Sequence, residues 1–133
     1  MSEFIPLLTK EAIAARVKDV AQAISTDYRD CDLILVGILK GAFVFLSDLI
    51  RHLSIPVKVD FIWASSYGDG TSSSGRVQLV KDVDLEIKNK DIVIVEDIVD
   101  TGITLSYLAA HLRSSGAASV RICTLIDKRE RRK

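Results

Sequence analysis

Glu96, Asp97 and Asp100 crowd the stretch IVIVEDIVDTGITL, which runs from Ile92 to Leu105, and Thr101-Gly102-Ile103-Thr104 follows them at once. Carboxylates this close repel one another and call for a cation or a hydroxylated partner. Their hard oxygens suit hydrated Mg²⁺, which takes one or two carboxylates and completes its shell with water and substrate oxygens. Sugar hydroxyls are equally good partners. The Thr-Gly-x-Thr half has the opposite preference: backbone N–H groups at a helix start, with flanking hydroxyls, attract a phosphate. Gly102 permits close backbone approach there. A sugar phosphate satisfies both halves, whereas a merely solvated acidic turn leaves the second half unexplained.

The commoner phosphate motifs are missing. No GxxxxGK[ST] occurs, and GDGTSS lacks the third glycine of GxGxxG and precedes a strand instead of a helix. Kinase-type and dinucleotide-type sites are therefore disfavoured. His52 and His111 fall on predicted helices far from either cysteine, so no zinc spacing exists and both read as helix-face histidines. Lys40 stands out by placement, directly after a buried strand and before Gly41. Phe61 and Trp63 read as core or subunit-interface aromatics, and the FVFL stripe as core.

The elements that must position these groups alternate between two periods. After Thr9, an expected N-cap, Ile13, Val17, Val20, Ala21 and Ile24 recur at helical spacing. DLILVGIL reads as a buried strand closed by Lys40-Gly41, and AFVFLSDLIRHL as a helix ended by Pro56. VKVDFIWAS alternates as a strand. SSYGDGTSSSGR, dense in Ser and Gly, predicts a mobile loop over about 65–76. RVQLVKDVDLEIKNKD predicts a strand, a turn and an extended piece. IVIVED is a second buried strand, TLSYLAAHLRSSG a helix capped by Gly116, and SVRICTLID a last strand. Strands alternating with helices predict an α/β parallel sheet covered on both faces, with its site at the strand C-terminal ends.

Composition bounds the rest. The 133 residues, 48% hydrophobic and 27% charged, predict a single domain over 1–133 with a real core. Eighteen basic and eighteen acidic residues cancel, so no global field draws nucleic acid or an anionic membrane. Neither Cys31 nor Cys123 belongs to a CxxC pair, and both are expected to be reduced and buried. No window approaches a membrane span and the N-terminus lacks a signal-peptide pattern, which makes the cytoplasm the expected compartment.

Taken with GILKGAFVF, SSYGDGTSSSG and DKR in the same order, VIVEDIVDTGITL resembles the binding motif for phosphoribosyl pyrophosphate (PRPP) of type I phosphoribosyltransferases, in the bacterial hypoxanthine-guanine branch. The resemblance covers essentially the whole chain. It implies a Rossmann-like parallel sheet with a flexible hood loop, and Mg²⁺-dependent purine salvage: transfer of the 5-phosphoribosyl group from PRPP to N9 of hypoxanthine or guanine, giving IMP or GMP and pyrophosphate. It also implies roles. Glu96 and Asp97 contact the ribose hydroxyls and the metal; Asp100 faces the purine N7 as proton acceptor; Thr101, Gly102, Ile103 and Thr104 bind the 5-phosphate. Lys40 and Gly41 hold the pyrophosphate, in a loop with a non-proline cis peptide before the lysine. Ser65, Ser66, Tyr67 and Gly68 begin the closing loop, Lys128 donates to the purine 6-oxo group, and Ile98 offers an apolar surface near the base.

Family members continue past the Lys128 strand into a segment that supplies an aromatic stack over the purine, backbone contacts and an acidic metal ligand, while this chain stops at DKRERRK. Either the segment lies beyond the given sequence, or the chain binds PRPP with weakened base binding. A homodimer or homotetramer is implied as well. The alternative to an enzyme is a regulatory protein that kept the motif to sense PRPP or a nucleotide; Lys40, Asp100 and the SSYG loop favour the enzyme. A generic α/β interaction domain leaves the carboxylates without a purpose.

Overall fold

The computed structural model describes residues 9–67, 76–99 and 102–127, with the backbone alone at 66–67, 76, 98–99 and 126–127. Helix α1 spans Lys10–Asp27, and Thr9 caps it by accepting a hydrogen bond from the Ala12 N–H at 3.0 Å. Strand β1 (Leu33–Ile38) is buried at every residue, as a strand covered on both faces must be. Helix α2 (Phe43–Ile50), strand β2 (Lys58–Tyr67), strand β3 (Arg76–Lys81), strand β4 (Asp91–Val99), helix α3 (Ile103–Ser114) and strand β5 (Ser119–Asp127) follow. α3 ends in a Schellman turn: Gly116, at φ +102°, donates to Arg113 O, and Ala117 donates to Leu112 O.

The strands form one sheet in the order β3-β2-β1-β4-β5. β1 pairs in parallel with β2 and with β4, β4 in parallel with β5, and β2 antiparallel with β3. Side chains of successive strand residues leave on opposite faces. Ile34, Val36 and Ile38 of β1 and Ile92 and Ile94 of β4 accordingly pack in one layer with Leu105, Leu108 and Leu112 of α3. Leu33 and Leu35, with Val93 and Val95, pack in the other with Val17, Ala21 and Ile24 of α1 and Phe45, Leu46 and Leu49 of α2. Each such buried aliphatic side chain stabilises by about 1.5–3 kcal/mol relative to exposure. Among the described residues no helix is long and apolar enough to cross a membrane.

Several expectations change. The sheet is mixed, because β3 runs antiparallel at its edge. Ser65, Ser66 and Tyr67, predicted as loop, finish β2 opposite Gln78, Val77 and Arg76; ladder hydrogen bonds satisfy the backbone however polar the side chains are. Gly68 lies outside the described residues. α2 stops at Ile50, well short of Pro56, and the Ser54 N–H donates at 3.0 Å to the Ser25 hydroxyl of α1. Cys31 is exposed in the turn before β1, whereas Cys123 is partly buried with its thiol pushed up to about 11 by burial.

Two residues tie the frame together. A Cβ added to Gly37 would lie 2.8 Å from Leu46 Cδ2 and 3.2 Å from the Phe61 ring, so glycine is what lets α2 lie close on β1. Asp60, buried on β2, accepts from the N–H groups of Phe61 (2.7 Å), Asp84 (2.7 Å) and Leu85 (2.8 Å), with the Lys81 ammonium at 3.9 Å. Burial alone would raise its pKa; these donors and Lys81 outweigh burial and hold it below the usual carboxylate value. Gly37→Ala should therefore destabilise by about 1–3 kcal/mol in urea unfolding. Asp60→Ala, which strands buried donors, should cost about 2–4 kcal/mol at neutral pH. A carboxylate with a lowered folded pKa stabilises above its unfolded value and loses that contribution as pH falls, so the gap between wild type and Asp60→Ala should close below about pH 4.

Candidate active site

From β1 the chain passes to β2 on one side, and from β4 to β5 on the other. The connections leaving the C-terminal ends of adjacent β1 and β4 thus diverge and open a crevice between them, the position where open α/β sheets bind ligands. Lys40 and Gly41 follow β1, and Glu96 and Asp97 lie toward the C-terminal end of β4, which runs on to Val99 where the sequence placed its end at Asp97. The tertiary fold brings these two separate stretches close together. A Cβ on Gly41 would lie 3.4 and 3.6 Å from the two carboxylate oxygens of Asp97. Strand alternation accounts for it, since Asp97 shares the α1/α2 face with Val93 and Val95, and Gly41 leads into α2.

The loop after β1 is firmly seated. Leu39 N–H donates to Ile62 O at 2.9 Å, Ala42 N–H donates to Ile38 O at 3.2 Å, and the Leu39–Lys40 peptide is cis, as the resemblance implied. The Lys40 ammonium lies 5.0 Å from the centroid of the Trp63 ring.

Glu96 is half-buried, and the Asp97 N–H donates to its Oε1 at 3.0 Å. Its carboxyl is pushed up to about 7, first by burial and then by the hydrogen-bonded, like-charged side chain of Asp97. Thr124, opposite Glu96 on β5, donates from Oγ1 to the Asp97 carbonyl at 3.4 Å. Sequence reading missed Thr124, because only strand register brings β5 beside the pair.

Gly102, at φ +86°, is the N-cap of α3, and Ile103 and Thr104 form its first turn. Within the Thr-Gly-x-Thr stretch the helix begins at Ile103, because the left-handed backbone at Gly102 precedes the first helical residue. An N-terminus placed just past β4 suits an anion. Asp100, Thr101 and Lys128 lie outside the described residues, as does the side chain of Ile98. Among the described residues no three His, Cys, Asp or Glu side chains converge as a metal cage. A pair of half-buried neighbouring carboxyls, of which Glu96 is held above the usual carboxylate value, fits a hard cation that brings its own oxygens, because such an ion would relieve their repulsion.

The sign of the Glu96 shift fixes a pH dependence for the ligand-free chain. A carboxyl whose folded value lies above its ordinary 4.5 stabilises while protonated, and that contribution disappears as pH rises through about 7. Glu96→Gln in chelator should therefore lose less melting temperature than wild type between about pH 5 and about pH 8, read by thermal denaturation.

Known proteins resemble this arrangement along most of the chain. The family model for the phosphoribosyl transferase domain matches residues 6–133. Hypoxanthine-guanine phosphoribosyltransferase of Mycobacterium bovis is 45% identical over 128 residues, covering 92% of this chain and 63% of the relative. The enzyme of that name from Bacillus subtilis is 42% identical over 127 residues, 96% of this chain and 71% of the relative. A crystal structure of a Staphylococcus aureus hypoxanthine phosphoribosyltransferase superposes with a TM-score of 0.91 at 44% identity, covering 96% of this chain and 69% of that one. The chain thus spans less than two thirds of the length of the mycobacterial relative. With a family model matched over nearly every residue and relatives above 40% identity, the chain belongs to the phosphoribosyl transferase domain family, in its hypoxanthine-guanine branch.

Proposed function

We propose that the chain transfers the 5-phosphoribosyl group of PRPP to N9 of a 6-oxopurine, hypoxanthine or guanine, releasing pyrophosphate. One observation above all supports this: the Gly41 backbone lies against the Asp97 carboxylate across the β1/β4 crevice, so a site for an anionic leaving group faces a site for a sugar.

In the reaction the purine N9 forms a bond to ribose C1 while the bond from C1 to pyrophosphate oxygen breaks. Positive charge develops on the sugar and negative charge on the leaving group. The Lys40 ammonium and the Gly41 backbone meet the pyrophosphate. Glu96 and Asp97 accept hydrogen bonds from the ribose 2- and 3-hydroxyls and lie near the developing cation, an electrostatic division that is strong in a water-poor site. Gly102, Ile103 and Thr104 at the start of α3, with Thr101, hold the 5-phosphate. Asp100 faces N7 and accepts the proton that the purine gives up. Lys128 donates to the 6-oxo group, which excludes adenine, and Ile98 borders the base. Ser65, Ser66 and Tyr67 at the end of β2, with Gly68, lead into the segment assigned to exclude water from the ribosyl centre. Mg²⁺ held by Glu96 and Asp97, directly or through water, would neutralise pyrophosphate charge. The exposed apolar residues Phe43 and Val44 on α2 support a homodimer or homotetramer, and the free thiols of Cys31 and Cys123 accord with a cytoplasmic setting.

Pyrophosphate release from PRPP and Mg²⁺, measured separately with hypoxanthine, guanine, xanthine and adenine, tests the assignment. Turnover is expected with a 6-oxopurine and not with adenine, and Asp100→Asn should lower kcat by about 10²–10⁴-fold. Saturable PRPP binding without turnover would instead point to an enzyme that needs the further base-binding segment or to a sensing protein, and absence of both would remove the PRPP assignment.

A further inference from the structure

Trp63 is the only tryptophan of the chain, and the core does not account for it. Val59 and Phe61 of β2 join the α1/α2 layer, and Ile62 and Ala64 join the α3 layer, but Trp63 packs in neither. The expectation of a core aromatic therefore holds for Phe61 alone. The ring of Trp63 is half-buried, and above it, 5.0 Å from the centroid, lies the Lys40 ammonium.

The backbone explains this placement. Parallel pairing of β1 with β2 ends at Ile38 opposite Ile62, and the Leu39 N–H donates to Ile62 O. Trp63 is the next residue, level with the loop that carries Lys40. On its other edge the β2–β3 register slips, with Trp63 opposite Lys81 and Ala64 opposite Leu79, so Val80 is the extra residue of a bulge. Bulges beside sites re-aim side chains. Among the described residues Lys40 enters no ion pair, and the electron-rich ring face is the partner the fold gives its charge.

We propose that Trp63 is a positioning residue: its ring holds the Lys40 ammonium at the mouth of the crevice and thereby tightens binding of the pyrophosphate group. This rests on the assignment of Lys40 made above. A lysine side chain has several free rotations to lose on meeting an anion. A ring that already restricts them reduces that loss, so affinity improves without a new contact to the ligand. The effect is confined to the pyrophosphate end, because the 5-phosphate is assigned to the start of α3.

Titration of the full chain with Mg²⁺ and pyrophosphate, and separately with ribose 5-phosphate, tests this in wild type, Trp63→Phe, Trp63→Leu and Lys40→Met. Trp63→Leu should weaken pyrophosphate binding about three- to tenfold and leave ribose 5-phosphate unchanged, while Trp63→Phe keeps most of the affinity. Tryptophan emission of the wild type should shift on adding pyrophosphate, and that shift should vanish in Lys40→Met. Unchanged pyrophosphate affinity in Trp63→Leu, alongside its loss in Lys40→Met, would overturn the positioning role and leave the transferase assignment standing. Equal weakening of both ligands would overturn it by making Trp63 a structural residue. Failure of the wild type to bind pyrophosphate at all would overturn both.

Discussion

The burial of β1 and β4 on both faces is the constraint from which the other features follow. Two adjacent parallel strands whose central residues are apolar on both faces need a cover on each side, and the chain supplies it by sending α2 to one face and α3 to the other. Because those helices leave in opposite directions, the strand ends between them stay uncovered. The crevice is thus a by-product of solving the burial problem. The start of α3, the carboxylate pair of β4 and the lysine of the β1–α2 loop all lie at this end of the sheet.

The crevice is where local stability is given up. Burial, and then the neighbouring Asp97 side chain, raise the Glu96 carboxyl above its usual value. A carboxylate used only for stability resembles Asp60, which is more deeply buried yet held ionised by three N–H donors and Lys81. The contrast separates a structural acid from a functional one. Asp60 is answered by three N–H donors and Lys81, whereas Glu96 is left with burial and a like-charged neighbour.

Close packing reaches the same region from below. Gly37 lets α2 approach β1 until no Cβ would fit against Leu46 and Phe61, and α2 starts from the Lys40-Gly41 loop. The position of that loop against Asp97 therefore depends on a glycine several residues back, within the core. At the sheet edge the Val80 bulge does comparable work for Trp63. Neither residue has any polar chemistry of its own.

Much was legible in the sequence. Thr9 capped α1, the apolar runs became β1 and β4, Ser119–Asp127 became β5 and Gly116 ended α3, because periodicity and capping are local properties of the chain. The carboxylates and Thr-Gly-x-Thr were likewise adjacent in sequence and announced a sugar phosphate. Ser65 to Tyr67, by contrast, were strand despite their polar composition, and β3 ran antiparallel, since pairing depends on a partner far along the chain. The sequence by itself determined which groups were present and at which ends of which elements. Only the tertiary structure decided that Gly41 faces Asp97, that Thr124 lies beside Glu96 and that Trp63 leaves the core to lie under Lys40, because those placements are set by strand order and register, which no local spacing encodes.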